Sequence, residues 1–289
     1  MAYPYVGRFA PTPSGRLHFG SLVCALGAFL VARANHGRFL LRIEDLDFQR
    51  CKSEYTKAII EELSILGFYF DDKPYIQSEH LEVYEKAIDS LCKNQEAYYC
   101  NCTRAKLRQS PCDCLYHQNL IDKNSPYSVR FNLDGKLEPY FEDVLQGRYY
   151  CNASLNLCLK RADGMISYNL ACVVDDIQQG VTQVVRGLDL IDITTSQMAL
   201  YQSFKHDYIS YLHLPLVMQD NKLKLSKQNH APYALSLDTP SGLLISALKI
   251  LNVDTSNLTK QQKPRVILDK ALENFQITKL NNKSVLSPY

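Results

Sequence analysis

Three clusters of residues in this chain are of types that do chemistry. The stretch "KLKLSKQNHA", Lys222 to Ala231, brackets Ser226 with Lys224 and Lys227 in a turn-like setting. Charged residues between structured elements are most often a solvated loop, yet ammonium groups on flexible stems also suit the oxygens of a phosphate. Near the other end, "APTPSGRLHFGS" joins a strand-like run to a helix-like one. Two prolines and Gly15 shape the turn, and His18 and Gly20 open the helix. A helix N-terminus offers N–H groups and partial positive charge, suited to a triphosphate, and Gly20 permits close backbone approach. His18 adds a donor that strengthens as charge builds on a transferring phosphorus. The third cluster, "CNCTRAKLRQSPCDC", crowds Cys100, Cys102, Cys112 and Cys114 into fifteen residues. In a reducing compartment such spacing points to a metal rather than to disulfides, with reduced free thiols as the alternative. Four thiolates suit a tetrahedral, structural Zn²⁺.

The elements that must position these residues read as alternating strands and helices. "YVGRFA" is a buried strand closed by "PTPSG". "LHFGSLVCALGAFLVARANH" is a buried helix, with Leu22, Val23, Leu26, Phe29 and Leu30 at helical spacing. His36-Gly37 ends it, and "RFLLRIEDLD" is a second strand with acidic residues at its carboxyl end. "SEYTKAIIEELSILGF" is an amphipathic helix carrying Tyr55, Ile59, Leu63 and Leu66 on one side. This order predicts a parallel sheet wrapped by crossover helices, whose ligands gather at the carboxyl ends of strands. A helix from about Glu79 to Cys92 leads into residues 97–160, which break the alternation, with "YSVRFNLDG" and "SLNLCLKRADG" as strands of an insertion. Alternation resumes with "ISYNLACVVDD", "VTQVVRG" and the helix around "TTSQMALYQSF". "YLHLPLVM" reads as a further strand before the lysine loop, and helical stretches follow near Gly242–Leu251 and Lys263–Phe275.

Composition narrows the class little further. With 46% hydrophobic and 21% charged residues the chain reads as a soluble globular protein. A net charge of +2 neither supports nor excludes nucleic-acid binding, since a local basic patch is enough. No apolar run is long enough for a transmembrane helix, and "MAYPYVGRFAPTPSG" lacks the pattern of a secretory signal, so a cytoplasmic location is expected. Cys24, Cys92 and Cys172 sit in apolar runs, where free cysteine behaves as a small buried hydrophobe.

"PTPSGRLHFGS" followed about two hundred residues later by "KLSKQ" resembles the two ATP-binding motifs of class I aminoacyl-tRNA synthetases. With "RFAPTPSG", "RIEDLD", "YNLACVVDD", "VVRG" and "LSKQNHA" the chain is similar to the glutamyl-tRNA synthetase group. The departure is Ser21, which stands where the first motif often ends in a second histidine. The resemblance implies an α/β, Rossmann-type class I synthetase catalytic core. It also implies an inserted zinc-containing subdomain of the acceptor type and a short helical C-terminal region. The expected divisions are 1–96 and 161–235 for the two halves of the catalytic domain, 97–160 for the insertion and 236–289 for the helical end.

In such an enzyme an already ionised carboxylate attacks the α-phosphorus of ATP and expels pyrophosphate, so positioning and charge neutralisation supply the rate rather than a general base. The resemblance implies that His18, Gly20, Lys224, Ser226 and Lys227 bind ATP, with His18 and Lys227 catalytic and Mg²⁺ arriving with the nucleotide. For glutamate it implies a pocket of Arg8, Ala10, Thr12, Glu44, Tyr168 and Arg186. Arg8 and Arg186 hold carboxylates in bidentate fashion, Glu44 takes the ammonium, and Tyr168 hydrogen-bonds the substrate. The competing reading pairs Arg8 or Arg186 with Asp45 or Asp47 and leaves Tyr168 in the core.

A short catalytic core with a CxC cluster and "LSKQNHA" resembles one subfamily in particular, the glutamyl-Q tRNA(Asp) synthetases. About sixty residues follow "KLSKQ", whereas synthetases that charge the 3′ end of tRNA for glutamate continue into an anticodon-reading region. The resemblance implies ATP, L-glutamate and tRNA(Asp) bearing queuosine as partners, with glutamate activated without tRNA. A reduced glutamyl-tRNA synthetase and a non-catalytic tRNA-binding paralogue are the alternatives. That subfamily has a CxC pair, then a tyrosine and a last cysteine four residues on. Here a second CxC stands instead, with Tyr116 and His117 just beyond, so the third and fourth metal ligands stay open between these residues.

Overall fold

The computed structural model of the chain describes residues 4–110, 112–122, 124–151, 157–207, 209–219 and 232–289. The chain begins β1 (Val6–Phe9), α1 (Phe19–Ala34), β2 (Arg38–Ile43), α2 (Ser53–Ile65), β3 (Tyr75–Ile76) and α3 (Leu81–Lys93). There follow β4 (Ala97–Cys100), α4 (Arg104–Gln109), β5 (Ser128–Phe131), β6 (Tyr140–Asp143), β7 (Gly147–Tyr150) and β8 (Cys158–Lys160). Next come α5 (Tyr168–Gln178), β9 (Gln183–Gly187), α6 (Thr194–Ser203), β10 (Ser210–Leu214) and β11 (Val217–Met218). The chain closes with α7 (Pro240–Ile250), α8 (Pro264–Asn274) and β12 (Val285–Leu286).

The expected parallel pairing is present. β1 and β2 run parallel from Val6↔Arg38 to Phe9↔Leu41, and β3 adds to β2 at Arg42↔Tyr75. β9 and β10 run parallel from Gln183↔Ser210 to Gly187↔Leu214. The sheets β3-β2-β1 and β9-β10-β6-β7 meet along β1 and β9. The seam is tied where Thr182 N donates to Val6 O at 2.9 Å and Val6 N donates to Thr182 Oγ1 at 3.0 Å. Strand order reverses at this seam, and in parallel α/β folds a crevice opens there beyond the strand ends.

Helices cover both faces. Phe9, Phe39, Leu41, Val185 and Leu212 pack with α1, α7 and α8 in one apolar core, while Val6, Leu40, Val184 and Tyr211 pack with α3, α5 and α6 in another. α1 is buried on most faces, as its composition predicts, and lies so close to the sheet that a Cβ on Gly27 would come within 2.5 Å of Leu214 Cδ1. The α7 start is fixed by Thr239, whose side chain accepts from Gly242 N, and by Pro240 in the first turn.

Two elements depart from the sequence reading. "YLHLPLVM" is not one strand: Pro215 lacks an N–H for the ladder, so β10 ends at Leu214 and β11 pairs instead with β12. The strands of residues 97–160 divide between two sheets. β4, β5 and β8 form an antiparallel sheet beside the cysteines, whereas β6 pairs with β10 at Asp143↔Tyr211 and carries β7 on its outer edge. Of the cysteines expected as buried hydrophobes, Cys172 is buried and Cys24 and Cys92 are half-buried. Among the described residues no helix is long and apolar enough to cross a membrane.

Candidate active site

Side chains alternate along a strand, so residues two apart share a face. On β1, β2, β9 and β10 that rule sends Phe9, Leu41, Val185 and Leu212 to the α1 side. Arg8, Arg42, Arg186 and His213 hold the intervening positions and bond to side chains of α5, α6 and the end of β6. Four polar side chains thus line one face of the seam where strand order reverses.

A cleft of about 330 Å³ opens there. Arg8, Ala10, Thr12, His18, Gly20, Tyr168 and Arg186 all line it. A neighbouring cavity of about 600 Å³ shares Ala10, Thr12 and Tyr168 and adds Glu44. Every described residue expected to meet phosphate or glutamate therefore borders one continuous region. Lys224, Ser226 and Lys227 lie outside the described residues.

At the phosphate end His18 caps α1. Its Nδ1 accepts the Ser21 N–H at 3.2 Å, which leaves the ring proton on Nε2, 3.0 Å from Ser21 Oγ. Ser21, the departure from the family motif, thus orients the histidine. The turn before His18 is held from behind by Glu62 of α2, which is buried, accepts Leu17 N at 2.9 Å and pairs with Arg16. Arg16 lies over the Tyr233 ring at 4.1 Å, and Ala234 N donates to Leu17 O at 2.7 Å. The chain therefore leaves the cleft wall at Val217 and is pinned again beside His18 at Tyr233.

Below the cleft floor lies a buried ionic cluster. Arg8 Nε donates to Asp176 Oδ1 at 3.0 Å, and Arg42 Nη1 donates to the same oxygen at 2.7 Å. Arg42 also reaches Glu44 Oε1 at 3.4 Å and Asp175 Oδ2 at 3.8 Å. Burial alone would raise Asp176, but the Arg42 and Arg8 guanidiniums hold it at about 2. Burial wins at Glu44, whose carboxyl is pushed up to about 7 against the pull of the same two arginines. Three carboxylates share two guanidiniums, so the cluster is one positive charge short, and Glu44, bordering the cavity, is the carboxylate a ligand cation can reach.

Arg186 has the opposite imbalance. Among the described residues no carboxylate forms an ion pair with it. Its Nε donates to His213 Nε2 at 2.9 Å, Nη1 to Gln197 Oε1 at 2.7 Å, and Nη2 to Thr194 Oγ1 at 2.8 Å and Leu190 O at 3.1 Å. The pairing of Arg8 or Arg186 with Asp45 or Asp47 does not occur: Asp45 accepts from Ser78, and Asp47 pairs with Arg50. Bidentate grip by either arginine is not available as expected, because most of both forks is committed to protein acceptors. Burial drives the Tyr168 phenol well above its ordinary range, so it is a neutral donor at the cleft wall.

An acidic surplus and an unpaired guanidinium facing one cleft fit a ligand that carries both an ammonium and a carboxylate. The profile described as "tRNA synthetases class I (E and Q), catalytic domain" matches residues 5–118 and 113–239. A Glutamyl-Q tRNA(Asp) synthetase of Vibrio parahaemolyticus is 41% identical over 288 residues, covering 98% of this chain and 97% of its own length. The protein of the same name from Escherichia coli K12 is 38% identical over 98% of this chain and 92% of its own. The chain belongs to the glutamyl-Q tRNA(Asp) synthetase family. A glutamate tRNA ligase from Elizabethkingia meningosepticum, solved in complex with its amino acid, superposes with a TM-score of 0.78 at 23% identity. It covers 99% of this chain and 67% of that one, and it supports the class I fold.

The cysteine cluster lies beside the antiparallel sheet of β4, β5 and β8. Cys100, Cys102, Cys112 and Cys114 bring their sulfurs within 4.8 Å of one another, and all four are free thiols. Sulfur separations are 3.5 Å for Cys100–Cys112, 3.9 Å for Cys102–Cys112 and 3.5 Å for Cys102–Cys114. Four thiolates around one tetrahedral ion at about 2.3 Å sit roughly 3.8 Å apart, so the set fits a metal ion. The group that could hold an ion is made of the two CxC pairs, Cys100 with Cys102 and Cys112 with Cys114. His117 is not part of the group, and Tyr116 is 73% exposed.

Asp176, Arg42, Glu62, Asp143 and His213 of this synthetase escaped the sequence reading. Arg42 and His213 carried a visible signal, a charged or polar residue inside the apolar strands "RFLLRI" and "YLHLPL". Asp143 and Glu62 carried none, because their partners lie 70 and 45 residues away in sequence.

Proposed function

We propose that the chain activates L-glutamate with ATP, without tRNA, and then esterifies it onto the queuosine base in the anticodon of tRNA(Asp). The observation that carries this reading is the near full-length similarity to relatives that bear that name. The charge pattern of the cleft supports the amino acid. Glu44 takes the ammonium, Arg186 and Arg8 meet carboxylates through their remaining N–H groups, and Tyr168 donates a hydrogen bond. Ala10 and Thr12 form the wall between the two cavities.

The first step joins a glutamate carboxylate oxygen to the α-phosphorus of ATP as the bond to pyrophosphate breaks, giving glutamyl-adenylate. The nucleophile is already an anion, so the protein orients it and offsets phosphate charge. The α1 N-terminus, Gly20 and His18 serve the phosphates, with Lys227 as the main cation and Lys224 and Ser226 beside it. Mg²⁺ accompanies ATP. In the second step a hydroxyl of the queuosine ring attacks the activated carbonyl and AMP leaves. The four cysteines hold one Zn²⁺, which braces the insertion. Residues 1–96 and 161–235 form the catalytic domain, 97–160 the insertion and 236–289 the helical end.

Labelled glutamate offered to tRNA(Asp) with and without queuosine tests the reading. Label is expected on the queuosine-bearing tRNA alone. Labelling that ignores queuosine, or that appears on a glutamate-accepting tRNA, would favour a reduced glutamyl-tRNA synthetase instead.

A further inference from the structure

Arg186 is a buried guanidinium held by neutral acceptors, and a guanidinium has five N–H groups in a rigid fork. Among the described residues four are taken, by His213, Gln197, Thr194 and the Leu190 carbonyl, which leaves one on Nη1. The direction of that last N–H depends on what turns the fork, and the nearest control is His213.

His213 is fully buried on β10, and its Nδ1 lies 2.6 Å from Asp143 Oδ2. A carboxylate accepts and does not donate, so the ring proton resides on Nδ1. Nε2 then presents a lone pair, the one neutral arrangement in which it can accept the Arg186 Nε–H. Asp143 is itself immobilised, accepting from the backbone amides of Leu145, Gln146 and His213. Burial also draws the His213 pKa below its ordinary value, despite Asp143, in keeping with a neutral ring between a carboxylate and a guanidinium.

We infer that Asp143 and His213 are positioning residues of the amino-acid pocket. Asp143 selects the Nδ1–H tautomer of His213, and His213 Nε2 turns Arg186 so that its free Nη1 N–H meets the substrate carboxylate. The inference rests on the reading of the cleft as a glutamate pocket. It gives the β6–β7 hairpin a role distinct from the cysteine-bearing sheet, because β6 ends on Asp143 beside β10, behind the arginine.

The test compares KM for glutamate and for ATP in glutamate-dependent ATP–pyrophosphate exchange. His213→Asn keeps a donor near the Nδ1 position and loses the acceptor to Arg186. His213→Gln places its amide oxygen near the Nε2 position and keeps that acceptor. Asp143→Asn keeps size but can offer N–H to the ring, which reverses the tautomer. A hydrogen bond to a buried charge is worth a factor of roughly ten to a hundred. Glutamate KM is therefore expected to rise by about that factor in His213→Asn and Asp143→Asn, with ATP KM within about twofold. His213→Gln is expected to restore most of the glutamate KM. Two outcomes overturn the inference: an unchanged glutamate KM in both Asn variants, or glutamate and ATP KM rising together with a lowered melting temperature in all three. Absence of exchange in the unsubstituted protein would instead sink the functional reading, and the positioning role with it.

Discussion

Glu44 sits 3.4 Å from Arg42 Nη2, yet its carboxyl is pushed up to about 7, because burial outweighs a guanidinium already shared with Asp175 and Asp176. An ammonium ligand needs Glu44 ionised. Its binding should therefore approach its full value by about pH 8 and weaken as pH falls through 7, toward about tenfold for each unit below. Calorimetric titration of glutamate between pH 6 and 8 measures this directly, and a flat affinity across that range would remove Glu44 from the pocket. In Glu44→Gln the affinity should be weak and independent of pH.

The same cluster sets acid stability. Asp176 is held at about 2, below the usual unfolded value of roughly 3.9. Its stabilisation is therefore fully present above that unfolded value and is lost as pH falls through the folded one. Asp176→Asn leaves Arg8 and Arg42 buried against an uncharged partner. A loss of about 3–5 kcal/mol is expected in urea denaturation at pH 7, shrinking toward pH 2.

Glu62 supports the phosphate end from behind. Truncation in Glu62→Ala leaves the buried Leu17 N–H without its acceptor, at a cost of about 1–3 kcal/mol. Because that turn carries His18, KM for ATP should rise several-fold, on the order of 1 kcal/mol, while KM for glutamate holds. Equal rises in both constants would show that Glu62 supports the whole fold rather than the turn.

Metal analysis should find one zinc per chain, and Cys102→Ser or Cys112→Ser should release it. Loss of a structural ion unlinks the segment it ties, so limited proteolysis should cut between residues 97 and 131 in the released form. Glutamate-dependent exchange should fall far less than tRNA labelling, since the sulfurs are not among the residues that line the cleft. Retained zinc in both variants would reopen the ligand set.

Local order and pairing could be read from the chain itself. The apolar period of α1, the turn at "PTPSG" and the strand–helix alternation predict parallel β1 and β2, because such patterns are written in neighbouring residues. That His18, Glu44, Tyr168, Arg8 and Arg186 belong together was suggested by their order along the chain, and all five border the two cavities. What each arginine does was not legible there. Arg8 is neutralised by Asp176, 168 residues away, while Arg186 forms no ion pair with a carboxylate among the described residues and leans on His213, which leans on Asp143, 70 residues before it. Those differences arise from strand order and from which face of the sheet each side chain occupies. Charge balance in a buried site is a property of neighbours in space, and only the tertiary structure decides who the neighbours are.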